Sequence, residues 1–194
     1  MASEVDIINS GLNLIGATNI TSRTEDSKAA RVTNQRYDFV RDGVFRAHPW
    51  HCLVKRQELA ADTTDPVMEF SNAYQLPADC LRVLRDQYLD TIYRVEGRRI
   101  VTDESTIKII YIARITDPNE YDALLMECIS ARLAADCAFA LTASRTLAAD
   151  MFALYEAKLS EARFVNATEG TPGARDAVTE AGSLVADTFV SSRF

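Results

Sequence analysis

The chain contains two histidines, His48 and His51, in the sequence HPWH, and this spacing could supply two ligands to a metal ion. Zinc sites use three or four His, Cys or carboxylate ligands, however, and no third ligand stands near this pair. The four cysteines form no CxxC pair. The sequence therefore predicts no metal site. It predicts a structural role instead, in which Pro49 ends a helix and Trp50 is a buried anchor.

The residue pattern gives little support for catalysis. Serine or cysteine catalysis would need one of the two histidines as its base, and no motif indicates a nucleophile. The sequence contains no P-loop, GxGxxG, GxSxG or HExxH motif. Carboxylate pairs for glycoside hydrolysis can be drawn among a few acids, although helix capping and solvation explain these acids more simply. These acids are Asp103, Glu104, Asp117, Glu120 and Glu127. We therefore expect no catalytic residue and no cofactor, and we interpret the chain as a protein that is not an enzyme.

The distribution of charge argues against a nucleic-acid reader. The net charge is −7, and residues 117–194 hold 12 acidic and 6 basic side chains. Arg31, Arg36, Arg41 and Arg46 are spaced by five residues. On a helix each such step turns by about 140°, so these side chains spiral around the axis and form no basic stripe. A basic face is what DNA-binding proteins normally present.

The sequence also bears on membrane association and on the compartment. No apolar run approaches the ~18 residues that a membrane span needs. The N-terminal residues MASEVDII include no basic region, so we do not expect a signal peptide. Cys128 and Cys137 are nine residues apart on one predicted helix, a distance that excludes a disulfide between them. We expect four free thiols in a reducing compartment.

Apolar residues at spacings of three and four predict two helices in the first 47 residues. The first begins at the N-cap Ser3 and ends at Gly16. The second begins at Asp26 or Ser27 and continues to about Ala47, where the His-Pro dipeptide ends it. Its predicted core residues are Ala30, Tyr37, Val40 and Val44.

Two further helices are predicted after residue 116. The third is capped by Thr116 or Asp117, has Pro118 at its first position and continues to about Thr142. It is apolar on nearly all sides, which predicts burial both by a neighbouring helix and by another subunit. The fourth covers about 145–165. Its apolar stripe contains Ala148, Phe152, Tyr155, Leu159 and Ala162.

The middle of the chain alternates with a period of two, which is typical of strands. Glu96-Gly97-Arg98 has the composition of a hairpin turn, and the β-branched residues of 106–115 predict the most buried strand. The predicted strands cover residues 53–59, 70–76, 81–85, 91–96, 99–102 and 106–115. The predicted fold class is therefore α+β, a four-helix part with an antiparallel β insertion and an extended C-terminal arm. A single domain would cover 1–168, with helices at about 3–47 and 117–165 and the β insertion at about 51–116.

The C-terminal arm, residues 169–194, has a different composition. Gly170, Pro172, Gly173 and Gly182 prevent a long helix, yet the arm is too apolar for a solvated tail. Segments of this kind commonly become ordered on binding, for example by strand addition to a partner. The predicted partner-binding residues are Leu184, Val185, Phe189, Val190 and Phe194.

Four segments of the chain are similar to one protein family in their order and spacing. They are DSKAARVTNQRYDFVRDGVFRAHPWHCLVKR (26–56), YQLPADCLRVLR (74–85), VEGRRIVTD (95–103) and RLAADCAFALTAS (132–144). Together they resemble the tail tubular protein A family, the head-to-tail adaptors of short-tailed bacteriophages. The resemblance covers roughly residues 5–165, and the arm lies outside it.

The resemblance implies a structural virion protein that is made in the host cytoplasm. It implies a dodecameric ring between the portal vertex and the tail nozzle, a protein like tail tubular protein B. The ring would form part of the channel through which double-stranded DNA is ejected, without sequence-specific contact and without a membrane. The arm would then dock on the portal protein or on an adjacent subunit. Two alternatives remain, a tail-associated hydrolase of cell-wall or capsule glycans and a small cytoplasmic oligomerisation or binding module.

Overall fold

The structure, a computed structural model, describes residues 2–63, 66, 68–86 and 92–169. Within these residues the fold is the predicted α+β mix of four helices and two small antiparallel sheets. The chain forms two compact units. The helical unit contains the chain up to His48 and from Thr116 onward, and the β unit is Pro49–Ile115. The predicted arm beyond Glu169, including its five partner-binding residues, lies outside the described residues. That the two units act as a single domain stays a prediction.

Local capping residues determine where the first two helices begin. The side chain of Ser3 accepts a hydrogen bond from the backbone N–H of Asp6, and the Asp6 carboxylate accepts from the Ser3 N–H. Ser27, one of the two predicted caps, accepts from the backbone N–H of Ala30. His48 ends the second helix in an extended conformation before proline, as predicted. The four helices are α1 (Glu4–Leu14), α2 (Lys28–Ala47), α3 (Ala123–Thr142) and α4 (Arg145–Thr168).

The predicted start of the third helix is wrong. Asp117 does act as a cap, but the turn that follows it is a short 3-10 helix, Pro118–Glu120. Tyr121 then takes an extended conformation, and Asp122 caps α3 anew. Its carboxylate accepts from the backbone N–H groups of Leu124 at 2.9 Å and Leu125 at 3.3 Å. A second acidic cap five residues later therefore competes with the Asp-Pro signal.

Helix α3 is the centre of the helical unit. It packs against α1, α2 and α4, and ten of its twenty residues are buried. Small residues bring the helices close, and the Ser130 hydroxyl donates to the carbonyl oxygen of Ile7 on α1 at 3.0 Å. Helices α1, α2 and α4 therefore supply part of the burial of α3, and the further expectation that another subunit covers it stays a prediction. On α4, Tyr155 and Leu159 are buried as predicted, but Phe152 is 40% exposed.

The β unit contains two three-stranded sheets. In one sheet β6 lies between β1 and β3, and in the other β5 lies between β2 and β4. The predicted hairpin is confirmed, since Gly97 adopts a φ of 61° in the turn between β4 and β5. Strand β6 has five buried residues among its seven, in agreement with its predicted burial. The strands are β1 (Val54–Leu59), β2 (Asn72–Gln75), β3 (Cys80–Asp86), β4 (Tyr93–Glu96), β5 (Arg99–Thr102) and β6 (Ile107–Ala113).

Candidate interaction site

The HPWH sequence forms the turn that leads from α2 to the first strand. Pro49 is half-buried and Trp50 is almost completely buried, with 1% of its surface exposed. The carbonyl oxygen of Trp50 accepts from the N–H of Leu53 at 3.0 Å, which closes the short 3-10 helix His51–Leu53. A buried indole at a chain reversal restricts the turn through packing. Its contribution to stability stays a prediction.

The two histidines have different surroundings. The Nε2 atom of His48 lies 3.0 Å from the side-chain nitrogen of Asn166, near the end of α4. Arg163 on the same helix donates to the carbonyl oxygen of Ala47 at 3.0 Å, so the ends of α2 and α4 are joined twice. His51 is exposed. Among the described residues no group of three or more His, Cys, Asp or Glu could hold a metal ion.

The carboxylates considered for glycan hydrolysis take part in local structural contacts. Asp103 accepts hydrogen bonds from the backbone N–H and the hydroxyl of Ser71 at 2.9 and 3.0 Å. Glu127 lies 2.5 Å from the ammonium group of Lys158. The backbone N–H of Asn119 lowers the pKa of Asp117, whereas a glycosidase acid needs a raised pKa. Of the five acids, two belong to the β unit and three to the helical unit.

The four arginines of α2 do point in different directions, as their spacing predicts. Arg31 pairs with Asp26 at the start of the helix. Arg36 pairs with Asp136 on α3 at 2.5 Å. Arg41 is 4% exposed and contacts several carboxylates around α1 and α2. They form no basic stripe for a nucleic acid.

A groove of about 210 Å³ lies on the helical unit, where α2, α3 and α4 meet. We call it the α2–α4 groove. Helix α2 contributes Arg36, Phe39 and Gly43, α3 contributes Arg132 and Asp136, and α4 contributes Tyr155. The Phe39 ring is 74% exposed, although the next residue, Val40, is buried. The groove thus combines an exposed aromatic side chain with three charged side chains, Arg36, Arg132 and Asp136.

The charges of the groove are arranged around Asp136. One of its carboxylate oxygens lies 2.5 Å from Arg36 and the other lies 3.4 Å from Nε of Arg132. Asp136 raises the pKa of Arg36 by hydrogen bonding and by its charge. The Arg132 guanidinium also lies 5.0 Å from the ring centre of Phe152 and 5.5 Å from that of Tyr155. Two cations share one anion, so this part of the groove carries a positive excess.

This combination of residues is suited to binding and not to catalysis. Aromatic residues and arginine are enriched at protein interfaces and dominate their binding energy. The groove could not be predicted from the sequence, because its α2 residues lie about a hundred positions from those of α3 and α4. One local feature of the sequence does indicate an exposed apolar surface on α2. Phe39 and Gly43 lie off the apolar stripe of α2, where a polar residue is normal for a solvated face.

A second cavity of about 450 Å³ lies between the α1–α2 loop and the end of α3. The loop beside it is held by Glu25, whose carboxylate accepts from the backbone N–H and the hydroxyl of Thr21 at 2.7 and 2.9 Å. These bonds, together with one from the Ser27 hydroxyl, lower the pKa of Glu25 to about 2. The polar groups of this loop thus bond to one another and order the approach to α2.

All four cysteines are free thiols, as the sequence predicts. Burial raises the pKa of Cys128 to about 11 and that of Cys137 to about 12. Both therefore remain protonated at neutral pH and are poor nucleophiles and metal ligands. They act as small apolar residues in the centre of the helical unit.

None of the described helices is both long enough and apolar enough to cross a membrane. Comparison of the sequence with protein-family models and with curated proteins gave no match. Functional inference therefore depends on the chain's own residues and geometry, and these describe an α+β protein with an aromatic and arginine-rich groove.

Proposed function

We propose that this chain is a head-to-tail adaptor of a short-tailed bacteriophage. It would be a structural virion protein that forms a ring between the portal vertex and the tail nozzle and lines part of the DNA channel. The observation that carries the proposal is the resemblance of four segments, in the same order, to the tail tubular protein A family. Segments 26–56 and 132–144 supply all of α2 and about half of α3, and segments 74–85 and 95–103 supply strands of the β unit.

The resembling segments contain residues that determine the fold. Tyr37, Trp50, Tyr74 and Ile100 are buried, with at most 1% of their surface exposed. Similarity at such positions supports a shared architecture more strongly than similarity at solvated positions, because buried side chains must fit one another. It thereby favours the adaptor over an unrelated small binding module.

The exposed surface supports a role in assembly. Three large apolar side chains of the helical unit, Phe39, Phe139 and Phe164, are more than half exposed. Aromatic residues are enriched at protein interfaces, so exposed rings of this kind support a binding role. The five acids considered for hydrolysis are in capping, paired or dispersed positions, so a glycan hydrolase has less support.

The net charge suits a channel through which DNA slides. A ring of subunits that each carry −7 concentrates negative charge, so we expect acidic or neutral side chains at the channel wall. The isolated protein should then bind duplex DNA weakly at physiological salt. Tight binding that weakens steeply with added salt would contradict this arrangement.

The proposal is tested by the mass of the full chain, measured alone and after mixing with the portal protein of the same phage. We expect a ring of fixed stoichiometry on the portal. A chain that stays monomeric and unbound beside assembled portal rings would contradict the proposal. Incubation with capsule and cell-wall glycans tests the alternative, and release of reducing sugar that is lost in one carboxylate variant would support the hydrolase.

A further inference from the structure

Among the described residues of the chain, nothing explains the exposure of Phe39. The ring is 74% exposed, while Val40 and Val44 on the neighbouring face of α2 are 4% and 1% exposed. The ring forms one wall of the α2–α4 groove. An aromatic side chain in water loses the favourable free energy of burial, so its position is explained when a partner covers it.

Gly43 lies one helical turn after Phe39 and leaves a gap beside it. A Cβ atom at Gly43 would have no heavy atom within 4 Å, and no positive φ requires glycine there. Glycine inside a helix destabilises it relative to alanine. No contact in the described part of the chain accounts for this glycine. Close approach by a bound chain accounts for it, because the gap next to Phe39 is large enough to receive a side chain.

The charge of the groove indicates the kind of ligand. Arg36 and Arg132 share the single carboxylate of Asp136, which leaves a positive excess beside the aromatic wall. A matching ligand is apolar with an excess of acidic side chains, because complementary charge contributes to which partner fits.

The chain itself contains such a segment. Residues 176–190 include three acids, Asp176, Glu180 and Asp187, and no lysine or arginine, and Arg175 and Arg193 flank them, so that 175–193 has a net charge of about −1. The apolar residues of this acidic apolar segment are Val178, Leu184, Val185, Phe189 and Val190. Between Glu169, the C-cap of α4, and Leu184 stand the 14 residues 170–183. When fully extended, 14 residues span up to about 46 Å, a length that suits contact with an adjacent copy.

We propose that the α2–α4 groove binds the acidic apolar segment of a neighbouring copy, with Phe189 or Leu184 beside Phe39 and Asp187 near the two arginines. This inference rests on the proposed adaptor function, because a ring needs a contact between unlike surfaces of adjacent subunits. A segment-to-groove contact is of this heterologous kind, and it closes into a ring when repeated at the right angle.

The test uses full-length variants that each disable one side of the contact. Phe39→Ala disables the groove, and Phe189→Ala combined with Val190→Ala disables the segment. Phe164→Ala is the matched control, because Phe164 is 72% exposed on α4 and does not line the groove. Sedimentation gives the mass of each protein, and circular dichroism verifies that each one is folded.

We expect the wild type and Phe164→Ala to form ring-sized assemblies. The groove variant and the segment variant should each associate at least about tenfold more weakly and remain monomeric. An equimolar mixture of these two variants should form dimers and nothing larger, because only one intact groove can meet one intact segment. If Phe39→Ala does not fold, Gly43→Leu replaces it, since a leucine would fill the gap.

Two results would overturn the inference. In one, the groove variants assemble like the wild type; in the other, the mixture of the two variants stays monomeric. If the groove variants still form rings that bind the portal, the inference is wrong and the adaptor function stands. A wild-type chain that associates neither with itself nor with the portal contradicts the adaptor function as well.

Discussion

Two helical glycines of this protein stand in opposite surroundings. At Gly11 on α1 an added Cβ would lie 2.8 Å from the carbonyl oxygen of Ser130, so the glycine lets α1 and α3 touch. At Gly43 on α2 an added Cβ would meet nothing within 4 Å. The first contact is completed within one chain. The second region has the same small residue and an exposed aromatic neighbour, Phe39, but the residues that the structure describes supply no surface that covers it.

The difference distinguishes a contact that is made within one chain from a surface that stays exposed in the single chain. The buried residues of α3 are covered by α1, α2 and α4, whereas Phe139 on the same helix is 52% exposed. The α2–α4 groove retains exposed apolar surface and an excess positive charge. Assembly is therefore expected to change the groove and to leave the centre of the helical unit unchanged.

Replacement of a completely buried aromatic residue should have the largest effect on stability. Trp50→Ala removes a side chain that is 1% exposed and should lower the free energy of unfolding by about 3–5 kcal/mol. Phe39→Ala removes an exposed ring and should change it by less than about 0.5 kcal/mol. Urea unfolding followed by circular dichroism measures both. Equal losses of unfolding free energy in the two variants would contradict the assignment of Trp50 as a core residue and of Phe39 as a surface residue. His51→Ala changes an exposed position and should have little effect on the free energy of unfolding. Added zinc should not shift the melting temperature of the wild-type protein.

The two glycines should respond to alanine with opposite signs. Gly11→Ala forces α1 away from Ser130 and should destabilise the protein by about 1–3 kcal/mol, as overpacking does. Gly43→Ala meets open space in a helix and should stabilise it by about 0.5–1 kcal/mol. Thermal unfolding at a concentration where the chain is monomeric measures both changes. A destabilising Gly43→Ala would show that the chain itself needs this glycine.

Burial should also protect three of the four thiols from alkylation. At neutral pH and in the native state we expect rapid alkylation at Cys52 alone, because Cys52 is only partly buried and the other three thiols are buried. Burial raises the pKa of Cys137 to about 12, so its reactive thiolate is scarce. Mass spectrometry after a timed pulse of iodoacetamide locates the label, and urea should expose all four thiols. Alkylation of native Cys137 at the rate of Cys52 would mean that the centre of the unit opens readily.

The smallest expected effect concerns the loop between α1 and α2. Hydrogen bonds lower the pKa of Glu25 from its ordinary value of 4.5 to about 2 in the folded chain. The unfolded chain therefore takes up this proton first as the pH falls. The stabilisation is fully present above about pH 4.5 and is lost as the pH decreases towards 2. Glu25→Gln should flatten the loss of stability across this window. An unchanged pH profile of Glu25→Gln would show that these hydrogen bonds do not persist in solution.

The elements that the sequence predicts well depend on local signals. Ser3 and Ser27 cap helices because a short polar side chain can reach the free N–H groups of its own first turn. Gly97 occupies a hairpin turn because the turn needs a positive φ. These relations involve neighbours in the chain, so a sequence pattern is sufficient to find them.

The features that the sequence does not predict depend on distant residues. Local pattern could not decide between the caps Asp117 and Asp122, because both satisfy the same rule. Phe152 follows the apolar spacing of α4, yet it is 40% exposed, and the Arg132 guanidinium of α3 lies 5.0 Å from its ring centre. The groove unites residues of α2, α3 and α4 that are about a hundred positions apart. Only packing brings these residues together.

The account is tested most directly by hydroxyl-radical labelling of the wild-type chain, read by mass spectrometry at Phe39 and Phe164. The two rings are 74% and 72% exposed, so they should label at similar rates in the dilute monomer. In the assembled protein we predict that labelling of Phe39 falls several-fold while that of Phe164 changes little. Equal labelling of Phe39 before and after assembly would contradict the claim that a neighbouring copy covers the α2–α4 groove.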